Sequence, residues 1–276
     1  MSDPVVAGGW SKQALVSALY IHPIKACRGL RVERAVVERR GLAEDRRFML
    51  VDESGRFVTQ REEPRLVLVG VDARGDRLRM SVPGHGECDL PRRPTGGRRL
   101  TVEVWRSRVS ALVVEEVGAW LSEWLGRGLT LVYMGDDVER LIDEEQPEHG
   151  VVSFADGYPL LLTNEASLAA LAGRSGGDLT MTRFRPNLVV TGAAAFVEER
   201  WARLRVGSVV LRNANPCERC VVINVDPESG ERGREPLRTL VEVHSIAGKP
   251  SFGVNLVPET VGEIRVGDPV SILSEA

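Results

Sequence analysis

Asn215-Pro216-Cys217-Glu218-Arg219-Cys220 sets two thiols in a Cys-x-x-Cys pair behind a proline. Thiolates are soft metal ligands and good nucleophiles, so the pair marks a candidate metal or sulfur site. The run Val221-Val222-Ile223-Asn224-Val225 reads as a strand, and Asp226-Pro227-Glu228-Ser229-Gly230 as the turn after it. Three common uses of the motif fit poorly. A thioredoxin-type pair opens a helix, but a β-branched run follows here. Haem attachment needs His after the second cysteine, and position 221 is Val. Structural zinc needs four ligands, and beyond this pair the chain has only Cys27, Cys88 and four scattered histidines. Three readings stay open on the residues alone. One cysteine ligates a metal whose other ligands come from a cofactor, or the pair forms a redox disulfide, or both are ordinary buried thiols.

Other segments narrow the choice. They are His22-Pro23-Ile24-Lys25-Ala26-Cys27-Arg28-Gly29, Gly41-Leu42 with Asp45-Arg46-Arg47-Phe48, Thr59-Gln60-Arg61-Glu62-Glu63-Pro64-Arg65-Leu66, and Arg183-Phe184-Arg185-Pro186-Asn187. The Cys217–Gly230 stretch with Glu235-Pro236-Leu237 follows, then Phe252-Gly253 and Val266-Gly267-Asp268-Pro269-Val270. In this order they resemble the MOSC superfamily, in the group that joins an N-terminal MOSC β-barrel to a MOSC domain and includes amidoxime-reducing proteins. The resemblance implies a molybdenum–molybdopterin cofactor with Cys220 as the protein's thiolate ligand. Cys217 is the weaker ligand candidate; it packs beside the site and tunes it, or is an ordinary buried thiol, which is favoured over ligation. Lys25, Arg46 and Arg185 match cofactor-binding positions, where a phosphate and polar pterin edges call for a point charge and forked donors. Arg185 precedes Pro186, which predicts an extended backbone. Arg183 would share its face only in a regular strand.

Ala26, Gly157, Tyr158, Glu218, Arg219 and Asn255 also match cofactor contacts of the family. Three departures stand out: Ala26 replaces a serine, Gly157-Tyr158 a hydroxyl pair, and Asn255 a tyrosine. Glu218 is a candidate proton donor, with a solvated carboxylate as the alternative. The implied function is an oxidoreductase that reduces small N-hydroxylated substrates, amidoximes and hydroxylamines. A persulfide carrier and a molybdopterin carrier without catalysis are the rival readings.

The elements that position these residues read as mostly β with peripheral helices. The first half shows short strands between glycine turns, which favours a barrel or sandwich. Expected strands are Ala14–Ile21, Arg47–Asp52, Phe57–Gln60, Leu66–Asp72, Arg77–Val82 and Leu100–Val114, with Pro83–Arg99 as a loop. Val117, Trp120, Leu121, Trp124 and Leu125 form one apolar helical stripe, ended by Gly126 or Gly128. Asp136–His149 reads as an acidic solvated connector. A second helix is capped by Thr163 or Asn164 and stopped by Gly173; Leu188–Thr191 and Val206–Asn213 read as strands. The division follows as an N-terminal β-barrel over 12–115, a connector over 116–149 and a MOSC domain over 150–273, with the cofactor between the two domains.

Composition sets outer bounds. A net charge of −3 excludes a general nucleic-acid footprint. Four cysteines in 276 residues make no disulfide framework and suit a reducing compartment. No apolar run reaches membrane-spanning length, and Met1-Ser2-Asp3-Pro4 has no basic leader, so a cytoplasmic protein without a membrane partner is expected. No Gly-x-Gly-x-x-Gly fingerprint and no iron–sulfur cysteine spacing appear before Ala276. Electrons are therefore expected from a separate donor, a ferredoxin or b-type cytochrome served by a flavoprotein reductase.

Overall fold

The computed structural model describes residues 13–143, 145, 150–177 and 179–276. The N-terminal segment and part of the acidic connector, residues 144 and 146–149, lie outside them. The protein is mostly β, with three α-helices among the described residues: α1 (Glu115–Leu125), α2 (Glu165–Ser175) and α3 (Leu237–Val243).

The largest sheet has nine strands. Its order is Val270–Glu275, Trp201–Val206, Val209–Glu218, Lys249–Pro258, Leu160–Asn164, Leu188–Thr191, Leu15–Ile21 and Leu30–Val32, with Ser245–Ile246 paired beside Lys249–Pro258. Only Leu160–Asn164 and Leu188–Thr191 run parallel, since α2 supplies the crossover a parallel pair needs. A second sheet orders Phe48–Val51, Thr130–Tyr133, Ser107–Val114 and Arg99–Val104. Two three-stranded sheets complete the β structure: Gly262–Arg265 with Arg34–Glu38 and Gly41–Leu42, and the meander Gly70–Arg74, Arg77–Val82, Gly86–Pro91.

The first part of the chain is woven into the second. Leu15–Ile21 pairs with Leu188–Thr191, and Gly262–Arg265 pairs with Arg34–Glu38. Val16, Leu19, Ala35 and Val37 share one buried cluster with Leu160, Leu188, Leu204, Leu211, Val254 and Ile264. This weaving brings residues near 25 and 46 beside residues near 185 and 220.

Local chemistry explains the elements. α1 buries Val117, Leu121 and Leu125 against Leu90 and Leu131, and Gly126 ends it at φ 69°. A Cβ at Gly118 would lie 3.0 Å from the Leu129 carbonyl oxygen, so this glycine lets helix and strand touch. Asn164 caps α2 by accepting from the Ala166 N–H at 3.0 Å.

Several expectations are corrected. Gly173 lies inside α2 as an exposed residue, and Gly176 at φ 70° forms the stop. The loop expected over Pro83–Arg99 contains the strand Gly86–Pro91, because the Arg77–Val82 edge offers it a partner. Pro64–Leu68 is a 3₁₀ turn with proline at its start, so the strand begins only at Gly70. Phe57–Gln60 forms no strand beyond a bridge between Val51 and Phe57. Leu100–Val114 and Val206–Asn213 each span two strands across a turn, at Trp105-Arg106 and at Gly207. The run after the cysteines is a 3₁₀ turn, Val221–Asn224. No strand edge meets it, and Ile223 instead plugs a core of Leu171, Phe184, Leu240 and Phe252. The cysteine pair thus stands at the exit of the strand Val209–Glu218, not at a strand entrance.

Candidate active site

The sequence predicts a constellation of cations, and the fold assembles it. Lys25 follows the strand Leu15–Ile21 in a turn and is 5% exposed. Its ammonium donates to the Phe154 carbonyl at 2.8 Å and pairs with the Asp156 carboxylate. Arg46 takes a left-handed backbone at φ 47°. It donates to Asp45 at 2.6 Å, to the Asn187 amide oxygen at 3.0 Å and to the Arg185 carbonyl at 3.1 Å. Arg185 donates to the Cys27 carbonyl at 2.6 Å. Each arginine therefore ties a segment before residue 50 to one near residue 185.

Arg185 corrects the expectation of an extended backbone. It sits at φ 55°, ψ 47°, capping the 3₁₀ turn Met181–Phe184. The contacts from Arg46 and to Cys27 hold it there against the preference set by Pro186. Arg183 belongs elsewhere, donating to the Val225 carbonyl at 3.0 Å and pairing with Asp226.

The thiols stand in different surroundings. Cys220 is half-buried, and an Arg61 N–H reaches its Sγ at 3.3 Å. Arg61 also lies 3.7 Å from Asp156 and covers the Trp105 ring at 4.8 Å. The Trp105 indole N–H donates to Asp156 at 3.2 Å. Asp156 thus joins Lys25, Arg61 and Trp105, and Arg61 joins this group to Cys220. Cys217 instead receives Arg219 at 3.0 Å, and Arg219 also donates to the Phe184 carbonyl at 2.8 Å. Cys217 and Cys220 form no disulfide with each other. Cys217 is half-buried, not the buried thiol expected.

The remaining predicted residues divide. Ala26 lies at φ 70°, and its carbonyl accepts from Gln60 at 2.5 Å. Tyr158 and Asn255 both meet Asn215: its amide donates to the Tyr158 hydroxyl at 2.6 Å, and Asn255 donates to its oxygen at 2.8 Å. Asn215 and Asn255 face each other across the strands Val209–Glu218 and Lys249–Pro258, just before the cysteine pair. Gly157 is exposed, and a Cβ there would meet nothing within 4 Å. Glu218 pairs with Lys249 at 2.8 Å with its side chain 55% exposed.

Sequence reading missed Asp156, Trp105, Arg140, Asn187 and the role of Arg61. Arg61 and Asn187 lay inside quoted segments, and Asp156 directly precedes Gly157. The tertiary partners that give them roles carry no local signal. Gly29 had one: a Cβ there would fall 2.6 Å from the His22 ring, so the ring needs the glycine.

The site holds more positive than negative charge. Lys25, Arg46, Arg61, Arg140 and Arg185 face Asp45 and Asp156. Burial, then the Arg46 charge, lowers Arg185 to about 10, and burial lowers Arg140 to about 10; both stay charged at neutral pH. Burial also lowers Lys25, against the pull of Asp156. His22 is pushed well down by burial and by Arg46 and Arg185, and so stays neutral. Cys27, buried, is pushed up to about 12 and is no nucleophile. The Asp156 side chain is more than half exposed, and Lys25 and Arg61 hold its carboxyl well below its usual range. An unbalanced group of desolvated cations is a receptor for an anion.

A pH prediction follows from Asp156. Its folded value is depressed, so its stabilisation is present above the unfolded carboxyl range of about 3.9 and is lost as pH falls through the folded value. Melting temperatures across about pH 1–5 should fall less steeply for Asp156→Asn than for the parent chain. Parallel curves would show that the pair contributes nothing to acid sensitivity.

Among the described residues, no group of three His, Cys, Asp or Glu side chains is arranged to hold a metal. A metal at Cys220 would therefore draw its other ligands from a bound group.

Comparison with known proteins shows the family. Residues 13–128 match the MOSC N-terminal beta barrel domain, and residues 149–271 match the MOSC domain. The chain is 33% identical to human mitochondrial amidoxime-reducing component 1, over 94% of this chain and 83% of that protein. It is 33% identical to mitochondrial amidoxime reducing component 2 of Bos taurus, over 92% of this chain and 82% of that protein. The Xenopus laevis component 1 is 34% identical, over 93% of this chain and 81% of that protein. With both domain types matched in order, and relatives aligned along nearly its whole length, the chain belongs to the MOSC superfamily, among the proteins that join an N-terminal MOSC β-barrel to a MOSC domain.

Proposed function

We propose that this protein is a molybdenum-cofactor-dependent reductase of N-hydroxylated compounds, amidoximes and hydroxylamines among them. One observation carries the reading: a half-buried thiol, Cys220, is linked through Arg61 and Asp156 to a cluster of desolvated cations. That donor set fits a group that offers a metal for a soft ligand and a phosphate for cations. The names of the relatives support the substrate class.

When bound, the cofactor supplies two-electron reduction of an N–O bond. The chain's own residues bind and orient. Cys220 presents the protein thiolate, and Arg61 fixes its direction from 3.3 Å. Arg46 and Arg185 offer forked donors, and Lys25 a point charge. The hydrogen bonds among these side chains and the backbone hold them in place before any ligand arrives.

The protein acts as the terminal component of an electron chain. Purified protein given NADH or NADPH and an amidoxime should turn over no substrate. A reduced dye, or a flavoprotein reductase with a ferredoxin or b-type cytochrome, should restore turnover. Steady turnover with the nicotinamide alone would overturn the partner requirement. Metal analysis with fluorescence of the released, oxidised pterin tests the cofactor itself. A persulfide mass shift on Cys220 without molybdenum would replace this reading by sulfur transfer.

A further inference from the structure

The turn between Arg99–Val104 and Ser107–Val114 breaks a local rule. Val104 pairs with Ser107, so Trp105 and Arg106 form a two-residue hairpin loop. Such loops favour glycine or asparagine, because a central position needs positive φ. Trp105 occupies that position at φ 55°, a strained backbone for so large a side chain. Trp105 is nevertheless 47% exposed as a residue. Hydrophobic burial therefore does not explain its placement.

Its contacts aim it at the site. The indole N–H is held by Asp156 at 3.2 Å, the guanidinium of Arg61 sits 4.8 Å from the ring centre, and the Phe57 ring is tilted against it at 5.1 Å. Arg61 is the residue that reaches Cys220. The indole is thus fixed two contacts from the sulfur, on a residue that stays exposed. A pinned, partly exposed aromatic surface loses little freedom when a flat ligand stacks on it.

We propose that Trp105 is a specificity-determining wall of the site, on which the planar aryl group of an N-hydroxylated substrate stacks while its N–O end points toward Cys220. This rests on the reductase reading for the reaction, but the stacking itself is testable without turnover. The selected substrates are flat aryl amidoximes and aryl hydroxylamines in preference to short alkyl ones.

The experiment uses neutral carboxamides as isosteres that lack a reducible N–O bond. An aryl carboxamide and a short alkyl carboxamide are titrated by calorimetry into the purified protein and into its Trp105→Phe and Trp105→Ala variants. The parent protein should prefer the aryl ligand. Trp105→Ala should cut the aryl-to-alkyl affinity ratio about tenfold, the upper range of an aromatic contact. Trp105→Phe, which keeps a ring and loses the N–H, should keep the ratio within about threefold. An unchanged ratio in Trp105→Ala would overturn the proposal. So would a Trp105→Phe variant as poor as Trp105→Ala, which would reduce the indole to a prop for Asp156. The ratio of KM values for aryl and alkyl N-hydroxylated substrates should move in parallel. Binding as expected with no turnover in the parent protein would leave the wall standing and sink the reductase reading alone.

Discussion

Cys220→Ser should lose more than about 100-fold of reductase activity, since even partners that only support a metal ligand cost 10–100-fold when removed. A neutral hydroxyl is a poor replacement for a soft thiolate. Arg61, which reaches Sγ at 3.3 Å, would keep its contact to Asp156 and its place over Trp105, so the surrounding cluster should persist. Circular dichroism and melting temperature should therefore match the parent. Cys217→Ser is the matched control. Cys217 sits on Arg219 rather than on Arg61, and its replacement should change activity by about twofold at most, the range of substitutions away from critical contacts. Molybdenum content separates causes in both variants. A dead Cys217→Ser beside an active Cys220→Ser would reverse the assignment.

Arg185→Ala should lower cofactor affinity by about 10- to 150-fold, the value of one charge-assisted hydrogen bond of about 1.5–3 kcal/mol. Arg185 is the cleaner probe of the cationic wall. Its side chain reaches the Cys27 carbonyl, whereas Arg46 bonds Asp45, Asn187 and the Arg185 backbone at once. Arg46→Ala should weaken both the fold and the cofactor, and Arg185→Ala chiefly the cofactor. Pterin and molybdenum per protein after equilibrium dialysis give the readout, with thermal melts of cofactor-free samples alongside. Unchanged occupancy with a lowered melting temperature in Arg185→Ala would make it a structural tie and not part of an anion clamp.

Period and punctuation carried much of the fold. The stripe from Val117 to Leu125 placed α1, and Asn164 announced the start of α2. Lys25, Arg46, Arg185 and Cys220 were legible because their segments resemble a family, not because any of them has a revealing local pattern. The misses have physical causes. Val221–Asn224 looks like a strand, but a strand requires an edge to join, and burial of Ile223 took precedence. Arg185 ought to be extended before proline, but two long-range hydrogen bonds fix it otherwise. Trp105 falls inside the run Leu100–Val114 that reads as one strand, and only its turn position and its partners distinguish it.

The interleaving of early and late strands has a consequence for how the protein is made. Leu15–Ile21 leaves the ribosome long before its partner Leu188–Thr191, and Arg34–Glu38 must wait for Gly262–Arg265 near the end of synthesis. Pairings so distant in sequence close slowly, because the loop entropy is lost before contacts compensate. Lys25 and Arg46 are translated early, but Arg185 and Cys220 reach them only after most of the chain exists. The proposed site is thus complete only once Cys220 has emerged. A nascent chain arrested before residue 188 would display unpaired early strands, a form that chaperones hold and that aggregates readily.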